Sequence, residues 1–185
     1  MKTFEATVLT PAGMDSLLQL QRSNLVQHIS SQTAKTQGFL TFEYSRDILE
    51  RMMRDMAQPV ITAGETLIGY ALATSAAAAA EIELMRPLAE MAEILTLNGS
   101  RVSQLRHYFM GQICVREGWR GQGLFDALYA AHKTLFSATY DCIITEIAAD
   151  NLRSQAAHAR VGFQKIHTHM DGGKEWDVVA WDWRS

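Results

Sequence analysis

The order of hydrophobic and polar residues at the start of the chain predicts a strand followed by two helices. Phe4, Ala6 and Val8 alternate with polar residues, which is the pattern of a strand with one buried face. A proline at the first helical position and leucines at helical spacing then predict a helix from Pro11 to Ser30. Ser45 is a favoured cap residue, and the apolar residues at helical spacing after it predict a second helix.

Six later segments have the alternating or continuous apolar pattern of strands. They are Gln58–Thr62, Thr66–Thr74, Tyr108–Val115, Ile143–Ala148, Phe163–His169 and Trp176–Trp183. The first two flank Ala63-Gly64-Glu65 and predict a hairpin, and the last two flank Asp171-Gly172-Gly173 and predict a second strand pair. Ile143–Ala148 is almost continuously apolar, which is typical of a strand buried on both faces. Gly111 lies inside a strand and indicates a bulge or a close approach of another group.

Three later segments predict helices. They are Leu84–Leu97, Gly123–Phe136 and a segment that begins at Asp150 or Asn151 and ends at Gly162. Pro87 interrupts the first of them early, and Asn98-Gly99-Ser100 predicts its end. The run Ala76–Ala80 fits either a helix start or a loop. These elements predict one mixed α+β domain over residues 1–185, and the sequence has no internal repeat.

Composition adds a soluble globular protein to this picture, with 48% hydrophobic and 20% charged residues. The net charge of −3 and the scattered Lys and Arg residues do not favour a nucleic-acid partner. Cys114 and Cys142 lie in apolar runs, which is typical of buried thiols and suits a reducing cytoplasm. No run reaches the ~20 apolar residues of a membrane span, and the N-terminus lacks the apolar core of a signal peptide. We therefore expect a cytoplasmic protein without a membrane segment.

The stretch WRGQGLF, Trp119 to Phe125, lies between a predicted strand and a predicted helix. The first backbone N–H groups of a helix lack intrahelical partners, and glycines let an anion come close to them. Arg120 adds planar, positively charged donors beside the same place. A phosphate-binding turn is therefore one interpretation, and a tight turn with Arg120 in water is the other. The stretch does not match the common dinucleotide or nucleotide loops, because there is no GxGxxG after the first strand and no Lys-Ser or Lys-Thr follows the last glycine.

A second motif follows the next predicted strand. In DNLRSQAAHARVGFQKI, Asp150 to Ile166, the pattern is NxxSxxxHxxxGF. Together with IGY at Ile68–Tyr70 and QICV followed by RGQGLF, it resembles the GNAT superfamily of acyl-CoA-dependent N-acyltransferases. The resemblance covers nearly the whole chain in element order. It implies a central mixed, mostly antiparallel sheet of about seven strands, splayed between two central parallel strands, with helices on both faces.

The resemblance also implies the residues that bind acetyl-CoA, the expected co-substrate. It assigns the pantetheine arm to the backbone of Ile113, Cys114 and Val115. It assigns the pyrophosphate to the turn that consists of Arg120, Gly121, Gln122, Gly123, Leu124 and Phe125. Asn151 matches an asparagine that often contacts the cofactor arm. Phe125 departs from the family pattern, which has a small residue there, and its side chain would narrow the approach to the phosphates.

Catalysis by such a protein needs a neutral amine, a stabilised oxyanion and a proton for the departing sulfur. His158 occupies the position of the tyrosine that protonates the thiolate in many relatives, and an imidazole can also donate a proton. Glu146 and His107 are the two candidates for the base that receives the amine's proton. Each of the three also has a purely structural interpretation, as a hydrogen-bonded or solvated side chain. Because the family transfers the acyl group directly, Cys114 is a poor candidate for a nucleophile.

Three functions remain open from the sequence. The first is an N-acetyltransferase that acts on a small-molecule or amino-terminal amine. The second is a non-catalytic acyl-CoA sensor or partner module of the same fold. The third is an unrelated nucleotide-binding protein. The sequence near the turn has no acidic metal ligands, which argues against this third function, and no metal is expected. The acceptor amine is not evident, and the chain is expected to be a monomer or a homodimer.

Overall fold

A computed structural model of the protein describes residues 3–28 and 39–184. Its strands are β1 (Glu5–Val8), β2 (Pro59–Ala63), β3 (Thr66–Ser75), β4 (Thr96–Leu97), β5 (Ser100–Arg101), β6 (His107–Val115), β7 (Cys142–Ala148), β8 (Gln164–Asp171) and β9 (Lys174–Asp182). Its α-helices in the described part are α1 (Met14–Arg22), α2 (Arg46–Asp55), α3 (Ala76–Glu81), α4 (Arg86–Ala92), α5 (Leu124–Phe136) and α6 (Leu152–Val161). Short 3-10 turns cover Pro11–Gly13, Val26–His28 and Val102–Gln104.

Seven strands form one sheet in the order β1-β2-β3-β6-β7-β9-β8, and β4 and β5 form a small hairpin. Strands β6 and β7 pair in parallel, whereas β1–β2, β2–β3, β7–β9 and β8–β9 pair antiparallel. The predicted hairpin and the predicted strand pair near the C-terminus are both present, as β2–β3 and β8–β9. The mixed, mostly antiparallel sheet of seven strands is therefore confirmed.

The described residues fall into two compact units. The first unit consists of residues 3–28, 39–73 and 111–135, and the second of residues 74–110 and 136–184. The first unit contains β1, β2, most of β3, the end of β6 and nearly all of α5. The second unit contains α3, α4, the β4–β5 hairpin, the start of β6 and everything after α5. Each unit is described by itself below.

Helix α1 of the first unit is shorter than the sequence predicts. It ends at Arg22, and a 3-10 turn at Val26–His28 follows. The reason lies in two polar side chains: the hydroxyl of Ser23 donates to the Leu20 carbonyl at 2.9 Å, and the amide of Asn24 donates to the same oxygen at 2.8 Å. Such side chains take the place of the helical backbone bonds and end the helix. The predicted continuation to Ser30 is therefore wrong from Ser23 to His28, and the residues beyond lie outside the described part.

The core of the first unit holds the start of α5 against the β2–β3 hairpin. Leu124 and Leu128 lie one turn apart on α5 and are fully buried against Ile61, Ile68 and Ala71. Burying a leucine side chain contributes about 2 kcal/mol, so this contact fixes where the helix begins. The predicted cap of α2 is also present, because the Ser45 hydroxyl accepts from the Ile48 amide.

The second unit departs from prediction between residues 84 and 101. Pro87 lies in the first turn of α4 and therefore begins the helix instead of interrupting it. The helix ends at Ala92, and Thr96–Leu97 pairs with Ser100–Arg101. Asn98 and Gly99 both have positive φ, 48° and 82°, as a two-residue hairpin turn requires. The prediction that these residues end a long helix is wrong for that reason. The Ala76–Ala80 run, left open by the sequence, is helical and is capped by the Ser75 side chain.

Helix α6 in the second unit begins and ends as predicted. The side chain of Asn151 caps its first turn, and Gly162 ends it with φ of 118°. A Cβ atom at Gly162 would lie 2.5 Å from Nε1 of Trp181, so only glycine fits here. Gln155 of α6 contacts Asp177 of β9, and Phe163 contacts Trp181. Helix α6 therefore packs on the face of β9 that carries the odd-numbered residues.

None of the described helices is long and apolar enough to cross a membrane. The longest, α5, has 13 residues. A membrane-spanning helix needs about 20 residues, because each residue advances the helix by only ~1.5 Å.

Replacing Gln58 with alanine is expected to destabilise the first unit. Its buried side chain donates to the carbonyls of Met52, Met56 and Ala73 at 2.8–2.9 Å and accepts from the Ala73 amide at 2.8 Å. Because these groups would lose their partners away from water, the free energy of unfolding should fall by about 3 kcal/mol in urea titration. The exposed Gln19, changed to alanine as the control, should move it by less than about 0.5 kcal/mol. Equal effects of the two changes would contradict the role of Gln58.

Candidate functional site

The turn between β6 and α5, in the first unit, has an open backbone. Gly118, Gly121 and Gly123 have φ values of 79°, 74° and 82°, a conformation that favours glycine. A Cβ atom built on any of the three would have no heavy atom within 4 Å. The glycines therefore do two things: they allow the turn, and they leave room directly above the backbone for another group.

Backbone and side-chain hydrogen bonds hold this turn in place. The Arg116 amide donates to the Ile68 carbonyl at 2.8 Å, and its Nε donates to the Leu67 carbonyl at 3.1 Å. The Trp119 amide donates to the Arg116 carbonyl, and the Gln122 side chain donates to the Gly118 carbonyl at 3.0 Å. The turn is therefore anchored to β3 at its start and braced across its middle.

Helix α5 begins at the last glycine of the turn, because the Ala127 amide donates to the Gly123 carbonyl at 3.0 Å. The start of a helix carries a partial positive charge and backbone amides that suit an anion. The ring of Phe125 packs against Tyr129, with ring centroids 5.1 Å apart, and none of its atoms lies within 4 Å of a Cβ built on Gly123.

Arg120 is directed toward the protein. Its Nε donates to the Val115 carbonyl at 3.0 Å, and its Nη2 donates to the side-chain oxygen of Asn24. Asn24 is buried and lies just after α1. The guanidinium therefore links the end of β6 to the end of α1.

The segment predicted to meet pantetheine, Ile113–Val115, is the last part of β6. Within it, Cys114 is buried, and burial raises the pKa of its thiol to about 12. At neutral pH the sulfur therefore stays protonated and is no nucleophile. A Cβ at Gly69 would lie 3.3 Å from the Cys114 carbonyl, so β3 and β6 approach closely here.

Strands β6 and β7 pair over a short stretch. The paired residues are His107–Phe109 with Cys142–Ile144, in the second unit. Strand β7 continues to Ala148 and β6 to Val115, and no further pair between them is present in the described part of the chain. A parallel pair that runs the full length of both strands is therefore absent from the described residues.

Asn151 and His158 of the second unit both lie on or beside α6. The side-chain oxygen of Asn151 accepts from the Ser154 amide at 3.3 Å, so it caps the helix. His158 is fully buried and packs edge-on against Phe163. Its Nδ1 lies 2.8 Å from the Ser154 carbonyl, which can only accept, so Nδ1 carries a proton. Burial lowers the pKa of His158 to about 4, and the ring is neutral at pH 7.

Glu146 lies on β7, and its side-chain oxygen Oε2 is 3.2 Å from Nε2 of His169 on β8. Burial raises the pKa of the Glu146 carboxyl, the hydrogen bond from His169 opposes the rise, and the charge of Asp171 adds to it. A carboxyl group whose pKa is raised toward neutrality is suited to accept a proton.

The structure does not bring the three predicted catalytic residues together on one face. Glu146 pairs with Val178 of β9, so its side chain lies on the face of the sheet that carries the even-numbered residues of β9. Helix α6 and His158 cover the opposite face. His107 pairs with Cys142, four residues before Glu146, which is about 13 Å along the strand. Its Nδ1 lies 3.0 Å from the Leu105 carbonyl.

Two residues of this region were missed by the sequence analysis. Asn24 contacts Arg120 from 96 positions away, and His169 contacts Glu146 from 23 positions away. No local pattern marks either contact. The sequence indicates only that His167 and His169, two positions apart in a predicted strand, lie on the same face of that strand.

Within residues 3–28 and 39–184, no three His, Cys, Asp or Glu side chains form a group that could hold a metal ion.

Known structures share this architecture. The chain aligns with the ribosomal-protein-S18-alanine N-acetyltransferase from Escherichia coli at a TM-score of 0.63 and 13% identity, over 97% of this chain and 94% of that one. It aligns with Arabidopsis thaliana NAA60 in complex with acetyl-CoA at 0.67 and 14%, over 97% and 99%. It aligns with Ard1 from Thermoplasma volcanium at 0.66 and 13%, over 98% and 99%. At these identities the likeness shows the fold.

The family is shown by the sequence itself. The sequence profile of the acetyltransferase (GNAT) family matches residues 25–163 of the 185. A search of curated proteins found no match. The chain belongs to the acetyltransferase (GNAT) family, in agreement with the resemblance seen in its motifs.

The buried state of His158 predicts an acid-sensitive fold. Its pKa is about 4 in the folded chain against an ordinary 6.5, so the unfolded chain takes up a proton first as pH falls. The contribution of neutral His158 to the free energy of unfolding is fully present above pH 6.5. It is lost as the pH falls toward 4, and the loss amounts to about 3 kcal/mol at most. His158→Gln should reduce the slope of unfolding free energy against pH in this range, measured by urea titration, and the buried His132, whose pKa is also about 4, keeps the rest of the slope. The exposed His167→Gln should leave it unchanged, and a wild-type slope in the His158 variant would contradict the prediction.

Proposed function

We propose that the protein is an N-acetyltransferase that moves an acetyl group from acetyl-CoA to a primary amine. The observation that supports this most is the open glycine turn at the start of α5, in a chain that belongs to the acetyltransferase (GNAT) family. A Cβ at Gly118, Gly121 or Gly123 would fill the space in which a diphosphate fits. The residues present therefore suit the diphosphate of coenzyme A.

In this proposal the backbone of the turn binds the co-substrate. The amides from Arg120 to Phe125 hold the pyrophosphate, and the start of α5 supplies a partial positive charge. The backbone of Ile113, Cys114 and Val115 pairs with the pantetheine arm, and Asn151 contacts the same arm. These contacts orient the thioester for direct attack, since the buried Cys114 thiol is protonated and forms no covalent intermediate.

Glu146 is the base of this proposal. Burial raises the pKa of the Glu146 carboxyl and so brings it nearer to the pKa of the amine. The carboxylate accepts the amine's proton directly or through water. His107 is the weaker candidate for the base. It pairs with Cys142 at the start of β7, whereas Glu146 lies near the end of that strand. His158, which the resemblance implies as the acid for the departing thiolate, lies on the opposite face from Glu146 and is buried and neutral, so in this proposal the thiolate departs without it.

A non-catalytic acyl-CoA sensor is the second candidate, and one observation favours it. The Nδ1 proton of His158 is donated to the Ser154 carbonyl, and the ring is neutral. A proton for the leaving group therefore requires that a buried ring be protonated first, which burial disfavours.

The acceptor is proposed only as an amine, either a small molecule or an amino terminus. Segments that select the acceptor in this family are residues 27–39 and the stretch from Ala76 to Arg106. The first lies mostly outside the described residues. The second carries Glu81, Glu83, Glu90 and Glu93, carboxylates that would attract a cationic amine or form a solvated face.

Gly123→Val is expected to weaken coenzyme A binding strongly. The new side chain would occupy the space above the turn and displace at least two amide contacts to the diphosphate. Hydrogen bonds to a charged group contribute about 1.5–3 kcal/mol each, so the Kd by calorimetry should rise by about a hundredfold or more. Gly64→Val is the matched control, since Gly64 also has positive φ, 58°, with no atom within 4 Å of its Cβ. Unchanged affinity in Gly123→Val would reject the turn as the binding site.

Thiol release with acetyl-CoA and a panel of amines tests the reaction. The wild-type protein should release coenzyme A, and Glu146→Gln should lower the rate by about 10²–10⁴ with unchanged affinity for acetyl-CoA. Because the base works deprotonated and its pKa is raised above the ordinary 4.5, activity should fall as pH drops through a value above 4.5. The exposed Glu175→Gln is the control. Thermal stabilisation by acetyl-CoA without thiol release for any amine would favour the sensor.

A further inference from the structure

The side chain of Arg120 is hydrogen-bonded to the protein itself. The guanidinium has two donors already in use, Nε at the Val115 carbonyl and Nη2 at the Asn24 side chain. Both acceptors belong to the protein, and both lie in the first unit. Hydrogen bonds from a charged donor are about twice as strong as neutral ones, so this geometry is held firmly.

Asn24 is itself fixed in position. Its side-chain Nδ2 donates to the Leu20 carbonyl at 2.8 Å and to the Ser23 hydroxyl at 3.1 Å. Its backbone amide donates to the Gln21 carbonyl at 3.0 Å, and its carbonyl accepts from the Leu40 amide at 3.0 Å. With its amide nitrogen used in this way, the side-chain oxygen of Asn24 faces Arg120. The acceptor for the guanidinium is therefore rigid and buried.

The turn that Arg120 belongs to needs such a support. Three glycines within six residues give an unfolded or loosely held backbone many conformations, and fixing them is opposed by entropy. Arg120 lies between Gly118 and Gly121, so tying its side chain to two rigid points limits the residues on both sides. A backbone that is fixed before the ligand arrives binds more tightly, because less ordering is left to the binding step.

We propose that Arg120 and Asn24 form a strut that preorganises the glycine turn, and that the Arg120 guanidinium is not the ligand of the pyrophosphate. The diphosphate is then held by backbone amides, and Asn24 is a positioning residue although it never touches the co-substrate. The proposal rests on the proposed function, since it describes how the turn is prepared for coenzyme A.

A double-mutant cycle separates a strut from a ligand. Asn24→Ala, Arg120→Met and the double variant are compared with wild type in two measurements: the Kd of coenzyme A by calorimetry, and the midpoint of urea unfolding without ligand. For a strut, each single change removes the same support, so each should weaken coenzyme A about tenfold and the double variant no further. The exposed Arg101→Met controls for the loss of one positive charge.

Two further measurements keep the result interpretable if a variant is poorly folded. Asn24→Asp keeps an acceptor for the guanidinium but loses the donor to the Leu20 carbonyl, so it should bind coenzyme A more weakly than wild type and more tightly than Asn24→Ala. Backbone order parameters of Gly118, Gly121 and Gly123 by NMR should fall in Asn24→Ala without any ligand. Rigid glycines in that variant would overturn the strut.

The outcomes are distinguishable from a failure of the proposed function. Loss of coenzyme A binding in Arg120→Met together with wild-type affinity in Asn24→Ala would make Arg120 the ligand and overturn the proposal. Additive losses in the double variant would overturn it as well. If wild type itself binds no coenzyme A, the proposed function fails, and the unfolding cycle and the order parameters still decide whether the strut exists.

Discussion

The positive φ of three glycines between β6 and α5 is the constraint on which the candidate site depends. A residue with a side chain is strained at such angles, and its Cβ would occupy the space above the backbone. The same conformation therefore turns the chain into α5 and leaves its first backbone amides approachable. Burial of Leu124 and Leu128 then fixes where the helix begins, so the packing of the core determines the position of the turn.

Buried amide side chains are the second feature that orders the first unit. Gln58 joins α2 to β3, and Asn24 joins α1 to the turn through Arg120. Gln112 follows the same principle: it accepts from the Tyr70 hydroxyl at 2.5 Å and donates to the Phe42 carbonyl at 2.8 Å. Each amide can donate and accept at once, so it ties segments that are far apart in sequence. Each of these three buried amides is costly to remove, because its partners would lose a hydrogen bond away from water.

Helix ends marked by one strong capping residue were predictable from the sequence, and elements that depend on competing bonds or on very short strands were not. Ser45, Asn151 and Gly162 begin or end helices through bonds to residues a few positions away, and all three were predicted. The glycine turn was predicted for the same reason. The early end of α1 depends on competing side-chain bonds, and the Asn98–Gly99 hairpin depends on two flanking strands of two residues each, too short to show a period.

The site divides by the distance along the sequence between the groups that meet in it. Its backbone part could be predicted from glycine spacing, because a turn is a local structure. Its side-chain part could not, because Arg120 meets Asn24, and Glu146 meets His169, only after distant strands and helices have packed. Sequence patterns give the type of a residue and the face of an element, whereas the partner of a charged group is a property of the packed unit.

The ionisation states of Glu146 and His158 bear unequally on the proposed reaction. An amine must lose a proton to attack, so a base near neutrality matters, and burial raises the pKa of Glu146 in that direction. A thiol has an ordinary pKa of about 8.5, so a thiolate departs without a strong acid to protonate it. A buried, neutral His158 is therefore less of an obstacle to acetyl transfer than an ill-suited base would be. The low pKa of His158 weakens the case for its acid role more than the case for catalysis, and the family membership of the chain adds to the latter.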